Sequence, residues 1–195
     1  KNLATRSMSK SFAEVTRETQ QIVRNAQYRN PTNSREVIKL ERTRLHRCAT
    51  ASRIFAANAI HDLQNKNAKP QAKEFESSSH TKVVLFRGGS FEAAEWLLHG
   101  RGRGDETSSQ VAVLDFASDT EPGGGYKSNQ QGTQEESLCR QSNLALGLES
   151  VNYPIPSLGV AWVPDVCVFR AGENEGYRLL ETPFWIGGVI AAALR

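Results

Sequence analysis

The chain has 195 residues, 38% of them hydrophobic and 23% charged, with a net charge of +3. That length suits one domain with an extension, or two small domains, with enough apolar residues for a buried core. No apolar run reaches the ~18 residues of a bilayer-spanning helix, so no membrane partner is expected.

The basic N-terminus KNLATRSMSKSF lacks the apolar stretch of a secretory signal. Cys48, Cys139 and Cys167 are odd in number and far apart, which argues against metal-type pairs and for a reducing compartment. Charge is unevenly placed. Residues 1–53 hold 12 Lys/Arg against 4 Asp/Glu, a local +8, and the remainder carries −5. A basic arm of this kind can meet nucleic acid or another polyanion; it can equally be a solvated helix face. No aromatic residues interleave with the basic ones to form a stacking platform.

Phe12, Val15, Thr19, Ile22 and Val23 recur near a 3.6-residue period and predict an amphipathic helix over 9–25. A turn cluster follows at 30–34, then a short strand over 37–40 and a weakly periodic helix over 50–63. Residues 65–79 are polar, with Pro70 and three serines, and read as a loop. From Thr81 the texture changes. Residues 82–86 read as a strand closed by Gly88-Gly89, and Ser90 caps a helix over 91–99 with Phe91, Ala94, Leu97 and Leu98 on one face. A charged loop spans 100–109. The run 111–116 is nearly continuously apolar, like a strand covered on both faces. Strands are also expected over 160–169, interrupted at Pro164, and over 184–194. Strand and helix alternate from 81 onward, which predicts an α/β layered fold with a parallel or mixed sheet. Ligands in such sheets sit at the carboxyl ends of strands, where the loop after Phe116 lies.

That loop reads EPGGGYKSNQQGTQEES. Gly123-Gly124-Gly125 strip a stretch of backbone of side chains and allow a ligand close to main-chain N–H groups; a plain connector is the other reading. Thr133 and Glu136 have the spacing of a capping box, and Glu135 and Glu136 suit a first helical turn, so a helix start accounts for both acids without catalysis. The same helix start, pointing into a glycine-lined crevice, would put a carboxylate beside a ligand. Adjacent helical residues point ~100° apart, so the two acids cannot flank a sugar as a glycosidase pair does. One of them must carry the proton transfer. The remaining candidates are scattered: His46, His61, His80 and His99 lack ligand spacing, Trp96, Trp162 and Trp185 are expected in the core, and Phe169 and Tyr177 suit core packing better than ligand stacking.

The segment GGGYKSNQQGTQEE resembles the signature of the poly(ADP-ribose) glycohydrolase family: a triple glycine, a spacer, then Gln-Glu-Glu, here with a spacer of eight. VAVLDFAS before PGGG, the continuation QEESLCRQSNL, the upstream ETQQIVRNAQY, and later VPDVCVFRAG and FWIGGVIAAAL resemble the microbial and fungal branch. The resemblance implies a macrodomain-like α/β/α three-layer sandwich with a mixed sheet over 81–195 and an N-terminal helical extension over 1–80. It implies binding of ADP-ribose and hydrolysis of the ribose–ribose bond of poly(ADP-ribose), with polymer or ADP-ribosylated protein as partner and no metal or cofactor. The setting it implies is intracellular, nucleus or cytoplasm, within ADP-ribosylation and the DNA damage response. By position Glu136 would be the acid/base and Glu135 would hold ribose hydroxyls. Gly123, Gly124 and Gly125 would line the distal ribose and diphosphate. Ser118 would fall near the ribose, Asp115 would support the site or make a local turn contact, and Gln134 would order the loop. Family members continue to a second glycine-rich loop with an aromatic residue, which has no match up to Arg195, so the core is expected to be C-terminally incomplete. Two further readings stand beside the enzyme: an ADP-ribose-binding macrodomain without turnover, and a basic-armed α/β domain that binds nucleic acid.

Overall fold

The computed structural model describes residues 10–59, 83–100, 111–128 and 132–192. Helix α1 (Phe12–Asn25) begins at Ser11, whose hydroxyl accepts from the Glu14 N–H while the Glu14 carboxylate reaches back to Ser11. This capping box satisfies donors that a first turn leaves free. The helix stops at Ala26, which is in the left-handed conformation at φ 54°. A hairpin follows, with β1 (Gln27–Arg29) antiparallel to β2 (Val37–Lys39) across the expected turn cluster.

Helix α2 (Arg42–Thr50) precedes β3 (Arg53–Phe55). The helix expected over 50–63 is interrupted: residues 57–59 are helical, but Arg53, Ile54 and Phe55 pair antiparallel with Trp162, Ala161 and Val160. A branched and an aromatic residue fit that edge, and pairing outweighs a weak helical period. Residues 60–63 and the expected loop at 65–79 lie outside the described residues. The strand expected over 82–86 is not formed at 83–86, where the chain is irregular and exposed. An apolar run becomes a strand only where a ladder takes its amide groups. None among the described residues does so.

Helix α3 (Ser90–Gly100) buries Phe91 and Ala94 as its apolar face predicts. Strand β4 (Ala112–Ala117) leads to the glycine loop, then come α4 (Gln134–Gln141) and the short α5 (Leu144–Leu148). Strand β5 (Val160–Arg170), a single 3-10 turn and β6 (Leu179–Ala192) complete the described chain. The register of β5 on β6 shifts between Val163 and Val166, around Pro164.

Sheet order is β3-β5-β6-β4, with β4 parallel to β6 and the other neighbours antiparallel. The fold is therefore mixed α/β with a mixed sheet, and the sheet recruits β3 from within the N-terminal segment. Alternate residues of β5 serve two cores. Val166 and Val168 join the cluster that holds Phe91, Leu138, Leu144 and Ile190, whereas Cys167 and Phe169 join Ile22, Tyr28, Leu40 and Leu45 from α1, the hairpin and α2. Elements thus pack on both faces, but not over all of the second one. On β4, Leu114 is 45% and Phe116 59% exposed, so this strand is covered on one face and not on both. The expected burial of all three tryptophans fails for the same reason at Trp162, which lies over Gly187 on that open region. Trp96 stands partly exposed against Phe86. Trp185 is half-buried beneath Arg44. Among the described residues no helix is long and apolar enough to cross a membrane.

Candidate active site

The parallel strand β4 delivers the chain to a run of tight turns. The Gly124 N–H donates to Glu121 O at 3.1 Å, Tyr126 N–H to Gly123 O at 3.1 Å and Ser128 N–H to Gly125 O at 2.8 Å. Gly123 and Gly124 take φ values of 74° and 50°, which side chains disfavour. Space matters as much as torsion. A Cβ on Gly124 would lie 2.8 Å from Glu136 Oε1 and 3.1 Å from Glu135 Oε2, and one on Gly123 would strike the Tyr126 ring. The triple glycine is folded tightly against both acids, which the connector reading does not account for.

Helix α4 presents the two acids in different directions. Glu135 is 2% exposed. Its Oε2 accepts from Ser118 N–H at 2.8 Å and its Oε1 from Gly123 N–H at 3.0 Å, tying the end of β4 to the glycine loop. Glu136 is half-buried. Its Oε1 accepts from Gly125 N–H at 3.0 Å, and its Oε2 accepts from Thr133 N–H at 2.6 Å and from the Thr133 hydroxyl. The capping box read from the sequence is present, and it engages the same carboxylate that accepts from the glycine loop at Gly125.

These environments split the acids electrostatically. Burial pushes Glu135 up to about 7, against the pull of its two backbone N–H donors, with the charge of Glu136 adding to the rise. Burial also acts to raise Glu136, but the Thr133 hydroxyl and the surrounding N–H groups outweigh it and hold this carboxyl below its ordinary range. Asp115, 1% exposed on β4, is pushed up to about 8 by burial and then by the charges of Glu135 and Glu136. Neither of its carboxyl oxygens has a hydrogen-bond partner among the described residues, so its carboxyl makes no local turn contact there.

Gln134 works on the strand. Its carboxamide accepts from Phe116 N–H at 3.1 Å and donates to Leu114 O at 3.0 Å and to the Ser90 hydroxyl at 2.8 Å. It imitates a peptide group of a neighbouring strand on β4. The Ser118 hydroxyl accepts from Thr120 N–H at 3.3 Å and Glu121 N–H at 3.1 Å, shaping the turn into the loop. Phe169 and Tyr177 are buried in the cores, and Tyr177 meets Phe12 edge to face. Among the described residues no group of three or more His, Cys, Asp or Glu side chains is placed to hold a metal ion.

Several supports carried no local signal in the sequence. The Tyr126 hydroxyl donates to Glu149 at 2.9 Å and its carbonyl accepts from the Thr16 hydroxyl at 2.8 Å, so α1 braces the loop. Arg140 is fully buried, with its guanidinium over the Phe12 ring at 4.6 Å, and its carbonyl accepts from the Thr19 hydroxyl at 2.8 Å. The contacts from α1 join residues more than a hundred positions apart. Only the helical period, which puts Thr16 and Thr19 on the buried face of α1, hints at them.

The model of the microbial-type PARG (poly(ADP-ribose) glycohydrolase) catalytic domain matches residues 16–171. Among solved structures, a poly(ADP-ribose) glycohydrolase from Thermomonospora curvata bound to the inhibitor ADP-HPD is similar, with a TM-score of 0.70 and 23% identity over 93% of this chain and 62% of that one. A poly(ADP-ribose) glycohydrolase from Deinococcus radiodurans in complex with ADP-ribose has a TM-score of 0.55 and 25% identity, over 75% of this chain and 57% of that one. The chain thus spans less than two thirds of the length of either structure. No curated protein matches it.

Proposed function

For a chain that belongs to the microbial-type poly(ADP-ribose) glycohydrolase family, we propose hydrolysis of the ribose–ribose O-glycosidic bond of poly(ADP-ribose), with Glu136 as acid and base. The observation that carries this reading is the division of labour on α4. Glu136 is half-buried against Gly124 and Gly125, while Glu135 is buried and spent on Ser118 and Gly123. Polymer or an ADP-ribosylated protein is the substrate, and ADP-ribose is the product. Gly123, Gly124 and Gly125 line the distal ribose and diphosphate, as their bare backbone allows.

The chemistry needs one proton moved twice. Protonated Glu136 gives its proton to the leaving ribose oxygen as the glycosidic C–O bond breaks. The resulting carboxylate takes a proton from a water whose oxygen bonds to the oxocarbenium-like carbon, which restores the acid. Glu135 contributes by fixing the loop and by keeping a second carboxyl, largely protonated below pH 7, behind the first. Asp115 lies deeper and stays neutral to higher pH, so it adds no charge beneath the site at pH 7. Gln134 fastens the start of α4 to β4, and Ser118 sets the entry to the loop. Cys48, Cys139 and Cys167 are all buried and free, which supports an intracellular setting, nucleus or cytoplasm.

A second reading, an ADP-ribose-binding module without turnover, is favoured by one feature. Glu136 is held in its charged form by three donors, an arrangement suited to binding more than to donating a proton. The experiment that separates the two is incubation with poly(ADP-ribosyl)ated protein and mass-spectrometric measurement of free ADP-ribose, for the parent and Glu136→Gln. Release by the parent alone is the expected result. Equal release by both would remove Glu136 from the chemistry. Binding without release would support the reader.

A further inference from the structure

Among the described residues the same helix-start device occurs at α1 and at α4. At α1, Ser11 N–H and Oγ both donate to Glu14 Oε2 at 2.8 Å, and Glu14 N–H returns a bond to Ser11 Oγ at 3.3 Å. At α4, Thr133 N–H and Oγ1 both donate to Glu136 Oε2. Glu14 is exposed in a shallow surface pocket shared with Lys10, Arg17, Glu18 and Gln21, with no glycine backbone donating to its carboxylate, so its box only starts a helix. Glu136 borders the glycine loop, and its box has a second consequence.

We propose that Thr133 is a positioning residue that latches the Glu136 carboxylate, deciding both where it points and when it can carry a proton. This rests on the catalytic reading of Glu136 given above. The latch is geometric. Oε1 is turned to Gly125 N–H at 3.0 Å and Oε2 is turned back to Thr133, so the carboxylate bridges the glycine loop and the helix start. Of the donors, the Thr133 hydroxyl is the one a single side-chain change removes. It also exerts the strongest pull toward the charged form, opposing burial. Charged and titratable neighbours come from two elements. Glu135, Cys139 and Arg140 lie on the same helix and Asp115 lies on β4. From the glycine loop packed over it, Glu136 receives a backbone N–H, while Lys127 turns away to Glu149 at 2.9 Å.

A substrate hydroxyl arriving beside Glu136 therefore competes with Thr133 as a donor to Oε2. While the latch is closed, Glu136 is a carboxylate ready to act as base. When Oε2 leaves Thr133, the charged form loses its strongest side-chain donor, and the carboxyl takes up from solvent the proton that the first half of the reaction needs. Thr133 thereby sets the upper pH limit of the acid step.

The test is a carbon-13 titration of the Glu136 side-chain carboxyl, assigned by its loss in Glu136→Gln, in the parent, Thr133→Ala, Thr133→Ser and Ser11→Ala. Thr133 is exposed, so its substitution disturbs a helix start and no core. Circular dichroism checks that each variant is folded. Thr133→Ala should raise the midpoint by about one pH unit, the scale of one hydrogen bond to a charged group. Thr133→Ser should restore the parent value, and Ser11→Ala should leave it unchanged. With turnover, the basic limb of the pH profile for ADP-ribose release should move up with the midpoint. A loss of cap stability alone would lower the melting temperature and leave that limb in place. A folded Thr133→Ala whose Glu136 titrates as in the parent overturns the proposal. Release that survives in Glu136→Gln overturns the catalytic reading instead, and the titration still reports on the latch.

Discussion

Asp115 is the sharpest place to perturb the molecule. Its carboxyl is buried on β4 without a hydrogen-bond partner among the described residues and is pushed from an ordinary 3.8 to about 8 by burial, then by Glu135 and Glu136. The folded chain keeps this proton up to about pH 8, while the unfolded chain releases it near pH 4. Between those limits the unfolded state binds fewer protons, so unfolding becomes easier as pH rises. Each pH unit in that window costs up to about 1.4 kcal/mol of stability, or roughly 3 kcal/mol between pH 5 and pH 7 if the site does not relax. Glu135, raised to about 7, adds a second contribution of the same sign up to that pH.

Asp115→Asn removes the proton and keeps the shape. At pH 5, where the parent carboxyl is already neutral, the variant should be no more stable than the parent. By pH 7 it should have gained roughly 2–3 kcal/mol relative to it, with the steepness that remains coming from Glu135. Urea unfolding at pH 5, 6, 7 and 8 measures this. With a slope near 2 kcal/mol per molar, the gap between the two midpoints should move by about 1 M or more across the series. If the parent and Asp115→Asn lose stability in parallel from pH 5 to pH 8, Asp115 is ionised in the folded chain and the account of its burial is wrong.

Three other substitutions probe the frame of the site. Gly124→Ala must hold φ near 50° and place a methyl 2.8 Å from Glu136 Oε1, so ADP-ribose binding measured by calorimetry should weaken at least about tenfold, and stability should fall by roughly 1–2 kcal/mol. Gln134→Leu leaves Phe116 N–H and Leu114 O without their carboxamide partner and should cost about 1–3 kcal/mol in urea unfolding, with faster amide exchange at Phe116. Thr19→Val breaks the contact through which Thr19 Oγ1 donates to Arg140 O and accepts from Arg170 Nε at 2.9 Å. Because it leaves a buried charged donor short of a partner, roughly 2–3 kcal/mol should be lost, with increased hydrogen exchange along α1.

What the sequence disclosed depended on how local each cause is. Helix α1 was legible because its period and its cap lie within fifteen residues, and the box at Thr133 was legible for the same reason. β3 was not: a three-residue strand exists only because β5 offers an edge, and nothing near Arg53 announces that edge. The run at 83–86 erred the other way, since it has a strand's composition and no ladder. At the site, the spacing of Gly123–Gly125 from Glu135 and Glu136 brought the right residues together. It could not say which acid turns inward, because that follows from how α4 rotates against β4, fixed by Gln134 on the strand and by Leu138 and Cys139 in the core. Tyr126, Arg140 and the threonines of α1 depend on long-range packing and were beyond any short window.

The sequence left a helix start and a catalytic rim as rival readings of Thr133 to Glu136, and the comparison with Ser11 and Glu14 shows why they are not rivals. A capping box holds its acid by two donors and favours the charged form wherever it occurs, as both boxes do. Only surroundings separate them. Around Glu14 there is solvent and basic side chains, and the Ser11 hydrogen bonds outweigh the slight desolvation that opposes ionisation. Around Glu136 there is a glycine backbone folded against the carboxylate, a buried Glu135 and an Asp115 unpartnered among the described residues. Burial there pulls toward the neutral form while Thr133 and Gly125 pull toward the charged one. A group that must give up a proton and then take one back is best placed where two such opposed influences meet, because a small movement of a substrate oxygen or a hydroxyl then suffices to change which of them prevails.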